Sequence, residues 1–388
     1  MDPVCNPYGP GAGTPPPELS GRSAILSEAE IALRRKLAGR PHKSMILIGL
    51  RGVGKTVLLN RIDEMARSLN YRTAMIEVGE DKSLAQIMVP ILRTILYDLD
   101  RMAGLSAAVK RGLRVLRSFG LTFRVGDIAL GIEPEVGTAD SGDLDADLTQ
   151  LLVAVGEAAT SRGTAIALIV DELQYFKENE FAALIMAIHR ASQRNLPVLL
   201  IGAGLPSVPG LAGRAKSYAE RLFDYPLVGA LTPAEAREAI EVPAEREDAA
   251  FTDGALRAIQ DATRGYPYFL QQWAYEAWNT AQASPITESD VRAATEKALK
   301  GLDDGFFRVR FDRLTNSEKK YLRAMAQLGP GPHRSSDVAA AYGAKLTSVA
   351  PIRATLIQKG MIYSPAFGDA AFTVPLFDQF MLRMMPQR

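Results

Sequence analysis

The sequence predicts an α/β protein: a sheet of parallel strands that carries the chemistry, then a helical bundle, then a small helix-and-hairpin unit. Three observations predict it. Short apolar runs alternate with amphipathic helical stretches from residue 44 to residue 204, the pattern of strand–helix–strand crossovers. One run ends in a glycine-rich turn that opens a helix, and another ends in two acids. Beyond Thr232 strand signals stop and capped helices take over.

In chain order, residues 1–17 are rich in Pro and Gly and are expected to form a disordered leader. Ser20–Gly39 reads as a helix, with Ile25, Ile31, Leu33 and Leu37 as its apolar positions. SMILIGL is a strand buried on both faces, followed by a helix over Thr56–Leu69, a strand over Thr73–Val78 and a helix over Ser83–Met102. Residues 104–147 break the alternation. FRVGDIALGIE has the period of a hairpin, and GTADSGDLDAD is an acidic turn region, so this stretch reads as an insertion on the core. The core resumes with a helix over Leu148–Ser161, the strand TAIALIVDE, a helix over Glu180–Gln193 and the strand PVLLIGAG. Helices starting at Thr232, Asp253, Tyr268 and Thr287 follow. Past residue 304, Thr315-Asn316-Ser317-Glu318 opens a helix with a capping box. SSDVAAAYG and Leu346–Lys359 add two helices, and MIYSPAFGDAAFTVP adds two strands about a Gly-Asp turn: the order of a winged helix-turn-helix. The expected boundaries are 1–17 leader, 18–230 core with the 104–147 insertion, 231–304 helical bundle and 305–388 C-terminal unit.

Composition narrows the function classes. A chain of 388 residues is too long for one core and suggests about two or three domains. The formal net charge of +1 means that any nucleic-acid surface must be local. The single cysteine, Cys5, has no partner for an internal disulfide, and the three histidines lack zinc-ligand spacing. No apolar run is long enough to span a bilayer, and the first residues lack the basic start and apolar stretch of a signal peptide. A cytoplasmic location with no membrane partner is the expectation.

Gly49-Leu50-Arg51-Gly52-Val53-Gly54-Lys55-Thr56 matches G-x-x-x-x-G-K-[ST] between a strand and a helix, the context that gives the motif its meaning. Glycines let the backbone curl until its N–H groups converge on phosphate oxygens. The helix N-terminus adds its dipole, Lys55 adds a mobile charge for the β/γ phosphates, and the Thr56 hydroxyl is a magnesium ligand. Gly49, Arg51, Gly52, Val53, Gly54, Lys55, Thr56 and Val57 are therefore the candidate ATP-binding residues. Ala167–Glu172 delivers two carboxylates at a strand's C-terminal end, where open α/β sheets bind ligands. Asp171 is the second magnesium candidate, and Glu172 the candidate that orients or polarises the attacking water. The alternative for Glu172 is a charge favoured by a helix N-terminus. Arg221, in SYAERLF, is the candidate cation for the transition state, or else a surface arginine paired with Glu220 or Asp224.

These elements in order, a Gly21-Arg22 box, the P-loop, VDELQ, SYAERLF and Gly265-Tyr266-Pro267, resemble an AAA+/STAND-type P-loop ATPase. The branch is that of the archaeal-type ATPases, related to origin-recognition initiators. The resemblance runs from about Pro17 to the C-terminus. It implies a P-loop NTPase parallel sheet with an AAA+-type helical lid and a C-terminal winged helix-turn-helix. It also implies that Pro17, Leu19 and Arg22 lie near the adenine, that Pro267 belongs to the nucleotide-facing lid, and that Arg221 acts at a subunit interface. Two departures stand out. IGAGLP lacks the polar residue that many AAA+ proteins keep on this strand, and Arg264 precedes Gly265 where initiators place an arginine after a Gly-Asp-Ala run.

Three functions fit. The first is an ATP-hydrolysing molecular switch that assembles as a homo-oligomer or on a partner protein. The second is an initiator- or loader-like protein that binds DNA through residues 315–388, with Lys345, Thr347, Ser348 and Arg353 exposed on the third helix of that unit. Nine Lys/Arg against four Asp/Glu from Thr315 onward support it, while Pro351 and the scarcity of base-reading side chains oppose it. The third is a nucleotide-stabilised scaffold without turnover.

Overall fold

The computed structural model describes residues 1–11, 13–79, 81–101, 106–125 and 132–386. They form two compact units. One consists of Ala24–Ile48 and Leu58–Leu227, the other of Met1–Ser23, Gly49–Val57 and Val228–Arg388.

The first unit is built on a sheet. Its elements in chain order are α1 (Ser23–Leu37), β1 (Ser44–Ile48), α2 (Lys55–Ser68), β2 (Arg72–Glu77), α3 (Leu84–Arg101), α4 (Ala107–Thr122), α5 (Leu144–Thr160), β3 (Ile166–Asp171), α6 (Glu178–Gln193), β4 (Val198–Gly204), α7 (Val208–Ala215), α8 (Ala219–Leu222) and β5 (Phe223–Asp224). All five strands are parallel, in the order β2-β3-β4-β1-β5. β1, β3 and β4 are buried at every residue, as continuous apolar runs in a doubly covered sheet must be. β2 lies at an edge and alternates towards its end. Val170 pairs with Gly202, and Leu47 with Ala203, so Asp171 and Ile48 end two strands of the same sheet edge. Two strand spacings separate them, about 10 Å.

Residues 104–147 depart from their expected form. The stretch holds α4, whose N-terminus is capped by the Ser106 hydroxyl accepting from the Val109 N–H at 3.1 Å. A Cβ at Gly112 would lie 2.8 Å from Leu96, so the glycine that obscured the helical pattern is what lets α4 pack on α3. Arg111 and Arg114 tie α4 to Glu135, and Arg111 also reaches Glu157 on α5. The hairpin expected over FRVGDIALGIE falls mainly on residues 126–131, outside the described residues. The acidic turn is structural: the fully buried Asp147 carboxylate accepts from the Ser141 N–H, the Ser141 hydroxyl and the Gly142 N–H. Asp143 caps α5, which starts earlier than its apolar residues suggest.

The second unit contains α9 (Pro233–Arg246), α10 (Asp253–Thr263), α11 (Pro267–Thr280), α12 (Glu288–Gly301), a π-helical turn over Leu302–Phe307, α13 (Arg308–Asp312), α14 (Asn316–Gln327), β6 (His333–Arg334), α15 (Ser335–Tyr342), α16 (Leu346–Gln358), β7 (Ile362–Tyr363), β8 (Asp369–Phe372) and α17 (Phe377–Met384). Thr232, Thr287 and Thr315 each close a capping box, which is why the sequence marks these helix starts so sharply. The C-terminal helices and hairpin occur in the order read from the sequence. β6 joins the hairpin to make an antiparallel sheet, β6-β8-β7.

The leader contradicts the expectation of disorder. Tyr8 is buried, bonds the Ile240 carbonyl through its hydroxyl, and meets Phe251 and Trp278 edge-on. Asn6 bonds the Tyr275 carbonyl and Asn279, and the Trp278 indole donates to the Asp2 carbonyl at 2.8 Å. Proline and glycine content hid a segment whose order comes from one aromatic anchor and its polar flanks.

Candidate functional site

The glycine-rich loop Gly49–Thr56 leads straight into α2, whose first residue is Lys55. Gly52 and Gly54 have φ of +82° and +92°, values that side chains other than glycine rarely adopt. These two residues let the loop turn back on itself. The Lys55 ammonium donates to the carbonyls of Gly49 and Leu50 at 2.9 and 2.8 Å. Val53 is buried, Val57 half-buried and Thr56 exposed. Gly13 of the leader comes beside Thr56: a Cβ there would stand 3.7 Å from the threonine methyl.

Residues far away in sequence hold this loop. The buried Arg22 guanidinium donates to the carbonyls of Val53 (3.3 Å) and Gly229 (2.5 Å). Burial lowers its pKa, and the charge of Glu235 opposes that. Arg22 is a strut under the loop. Pro17 and Leu19, its companions in the expectation, are half-buried, and the Pro17 carbonyl accepts from Arg246 at 2.9 Å. Pro267 starts α11, and its neighbours reach the loop: the Tyr266 hydroxyl bonds the Arg51 carbonyl, and the Tyr268 N–H donates to the Gly52 carbonyl at 3.3 Å. From just past β8, the Thr373 carbonyl accepts from the Arg51 N–H at 3.2 Å. The expected Gly-Tyr-Pro segment and the P-loop are thus brought together. The hold of Thr373 had no signal in the sequence. Arg264, which caps α10 in a left-handed conformation, is exposed.

The acidic pair belongs to the sheet unit. Asp171 is buried at the end of β3, and its Oδ1 accepts from the Glu172 N–H at 2.8 Å. Glu172 sits at φ +58°, ψ 40°, a left-handed conformation that costs a non-glycine residue about 1 kcal/mol or more. The strain turns the chain sharply into the 3-10 turn Leu173–Tyr175. The Gln174 carboxamide spans the gap that follows: its nitrogen donates to the Glu172 carboxylate and its oxygen accepts from the Leu205 N–H at 3.0 Å. A Cβ at Gly202 would strike Leu173 at 2.5 Å, and one at Gly204 would strike Val208 at 2.5 Å and meet the Gln174 oxygen at 3.1 Å. The missing polar residue of β4 therefore has a steric cause. The strand is bare so that Gln174 can lie against its end. The Q of VDELQ was the available signal, and sequence reasoning passed over it. Arg221 is exposed on α8, and neither suggested partner engages it in an ion pair: Asp224 pairs with Lys43 at 3.0 Å.

Residues 18–201 match the AAA ATPase domain family. This stretch is an AAA+ P-loop ATPase domain. Residues 304–381 match a second family, described as a domain of unknown function (DUF8462). No curated protein matches the chain in sequence. Among solved structures, the Walker-type ATPase PABY2304 of Pyrococcus abyssi is similar over 94% of this chain and 96% of its own, at 14% identity and a TM-score of 0.59, which shows a shared fold. The RuvB Holliday junction branch migration motor of Thermotoga maritima is similar over 93% and 96% of the two chains (17% identity, TM-score 0.47). The Orc1 protein of Aeropyrum pernix, solved in complex with DNA, is similar over 95% and 94% (16% identity, TM-score 0.47). In this ATPase, among the described residues, no helix is long and apolar enough to cross a membrane.

Proposed function

We propose that this ATPase is a STAND-type molecular switch. ATP with magnesium, taken by Gly49–Val57, sets the state of the helical lid and C-terminal module, and hydrolysis resets it. One observation carries the reading: the main chain of Arg51 and Gly52 is bonded both to the start of lid helix α11 and to Thr373 of the C-terminal module. A ligand that changes this loop then has different affinity for different placements of those elements, which is what a switch needs.

Within this reading each candidate has a task. Gly52, Val53 and Gly54 present main-chain N–H groups, and Lys55 neutralises β/γ-phosphate charge. Thr56 and Asp171 offer hydroxyl and carboxylate oxygens, hard donors that suit magnesium, an ion that keeps several waters of its own. Magnesium, when bound, spreads the charge of the phosphates. Glu172 accepts a proton from the attacking water. Arg221, exposed and clear of Glu220 and Asp224, serves a neighbouring copy in a homo-oligomer. Pro17 and Leu19 flank the adenine, with Pro267 on the lid side.

Glu172→Gln tests hydrolysis. Turnover falls by about a hundredfold or more, the scale of a lost general base, while affinity for a fluorescent ADP stays within about twofold. Unchanged turnover would leave only the scaffold reading.

A second reading, residues 315–388 as a winged helix-turn-helix on duplex DNA, is supported by their basic excess. The side chains favour protein docking instead. Arg353, the only charged residue of α16, donates to the Ser364 hydroxyl at 2.9 Å and the Asp369 carbonyl at 2.7 Å. Thr347, Ser348, Ala350 and Ala354 leave the exposed face of that helix uncharged, and Lys345 stands alone at its start. Titration with duplex DNA at low salt separates the two: steeply salt-dependent binding reverses the preference.

A further inference from the structure

We infer that Tyr266 is a positioning residue for the phosphate-binding loop: by fixing the Arg51 carbonyl it sets the direction of the loop amides that follow. The inference deepens the proposed function, since it rests on the reading that this loop takes a nucleotide's phosphates.

The loop's outer turn is held by bonds that leave little freedom. Both main-chain polar groups of Arg51 are engaged by distant segments, the N–H by the Thr373 carbonyl at 3.2 Å and the carbonyl by the Tyr266 hydroxyl. The next carbonyl, that of Gly52, accepts from the Tyr268 N–H at 3.3 Å. A peptide plane is rigid, so fixing the Arg51 carbonyl also fixes the Gly52 N–H on its other side. The Tyr266 ring closes the same turn sterically: a Cβ at Gly52 would lie 3.1 Å from Cε1 of Tyr266 and 3.6 Å from Cζ of Phe306.

Tyr266 is itself well anchored. It is 4% exposed, its ring lies 4.9 Å from that of Phe269, and it immediately precedes α11. Burial pushes its phenol far above the usual range, so the hydroxyl keeps its proton and can only donate to a carbonyl. The backing continues into the C-terminal module. Phe306 stacks on Tyr268 at 4.6 Å, with the Arg310 guanidinium 4.1 Å above it, and Phe307 meets Phe377 and Phe380. Phe306 and Phe307 are adjacent in the π-helical turn over Leu302–Phe307, and their rings face different partners. Thr373, which holds the Arg51 N–H, is locked by its hydroxyl to the Gly360 carbonyl at 2.6 Å.

Tyr266→Phe in the full chain removes one oxygen and keeps the ring. Affinity for fluorescent ADP falls about tenfold, the order of one buried hydrogen bond. Affinity for adenosine, measured by competition, is unchanged, because adenosine has no phosphate for the loop to hold. Amide exchange at Gly52–Gly54 in the nucleotide-free protein speeds up. Tyr275→Phe, farther along α11 than the loop contacts, leaves all three readings at the wild-type value. Equal ADP affinity in Tyr266→Phe and wild type overturns the positioning role while the nucleotide reading stands. An equal loss for ADP and adenosine also overturns it, since lid packing rather than loop geometry would be at fault. Wild-type protein that binds neither ligand removes the nucleotide reading and this inference with it.

Discussion

At Glu172 a glutamate is held in a left-handed conformation at the end of a buried strand, and its carboxylate is gripped by Gln174. Strain of this sort persists only where surrounding bonds over-determine it. Gln174 does so by bridging to the Leu205 N–H beyond β4. Its carboxamide thus links Glu172 to the end of β4. Replacing Gln174 with Leu keeps the bulk and removes the bridge. Steady-state assays should show turnover falling about tenfold to a hundredfold, the usual loss for a group that orients a reacting one, with ADP affinity within about twofold. A parallel loss of affinity would make Gln174 a packing residue.

Among the elements, α14 shows how capping and charge meet. Thr315 and Glu318 close its capping box, and the Lys359 ammonium reaches the same carboxylate at 2.9 Å. Burial pushes the Glu318 carboxyl up, but Lys359 and the Thr315 bonds outweigh it and hold the pKa below the usual value. A carboxyl depressed on folding stabilises the native state above its unfolded pKa, and that contribution fades as pH falls through the folded value. Glu318→Ala therefore destabilises the protein by about 2 kcal/mol at neutral pH, through the lost cap and an unpaired Lys359, and the gap to wild type narrows below about pH 4. Urea unfolding at the two pH values measures it. The box was legible because its signal is four consecutive residues. α4 was not, because Gly112 weakens a helix locally and its merit, a close approach to Leu96 on α3, exists only after packing. The leader was misread for the same reason: Tyr8 orders it through Ile240 and Trp278, more than two hundred residues away.

For the whole molecule, the exposure of Arg221 and the engagement of Asp224 by Lys43 support an arginine offered to another copy. Specific activity should then rise with protein concentration until the chains are assembled. Arg221→Ala lowers turnover by about a thousandfold if the residue acts as an arginine finger, with nucleotide affinity kept. Mixing equal amounts of Arg221→Ala and Glu172→Gln chains restores part of the activity, because one supplies the acid and the other the arginine. Mixtures as inactive as their components would place Arg221 in its own chain's site or outside catalysis.

The sequence by itself determined the parallel sheet, the phosphate loop, the acids at the end of β3 and the helix starts at Thr232, Thr287 and Thr315. Each is written in a few consecutive residues whose conformation is a local matter of burial period, glycine and capping. Only the tertiary structure decided that Arg22 props the loop from below, that Tyr266 and Thr373 hold Arg51 from either side, that Gln174 occupies the end of a strand kept bare by Gly204, and that Arg353 is spent inside its own module. Those assignments depend on which distant backbone carbonyl or N–H lies within reach of a side chain. Sequence spacing does not carry that information, because it arises when separate elements pack.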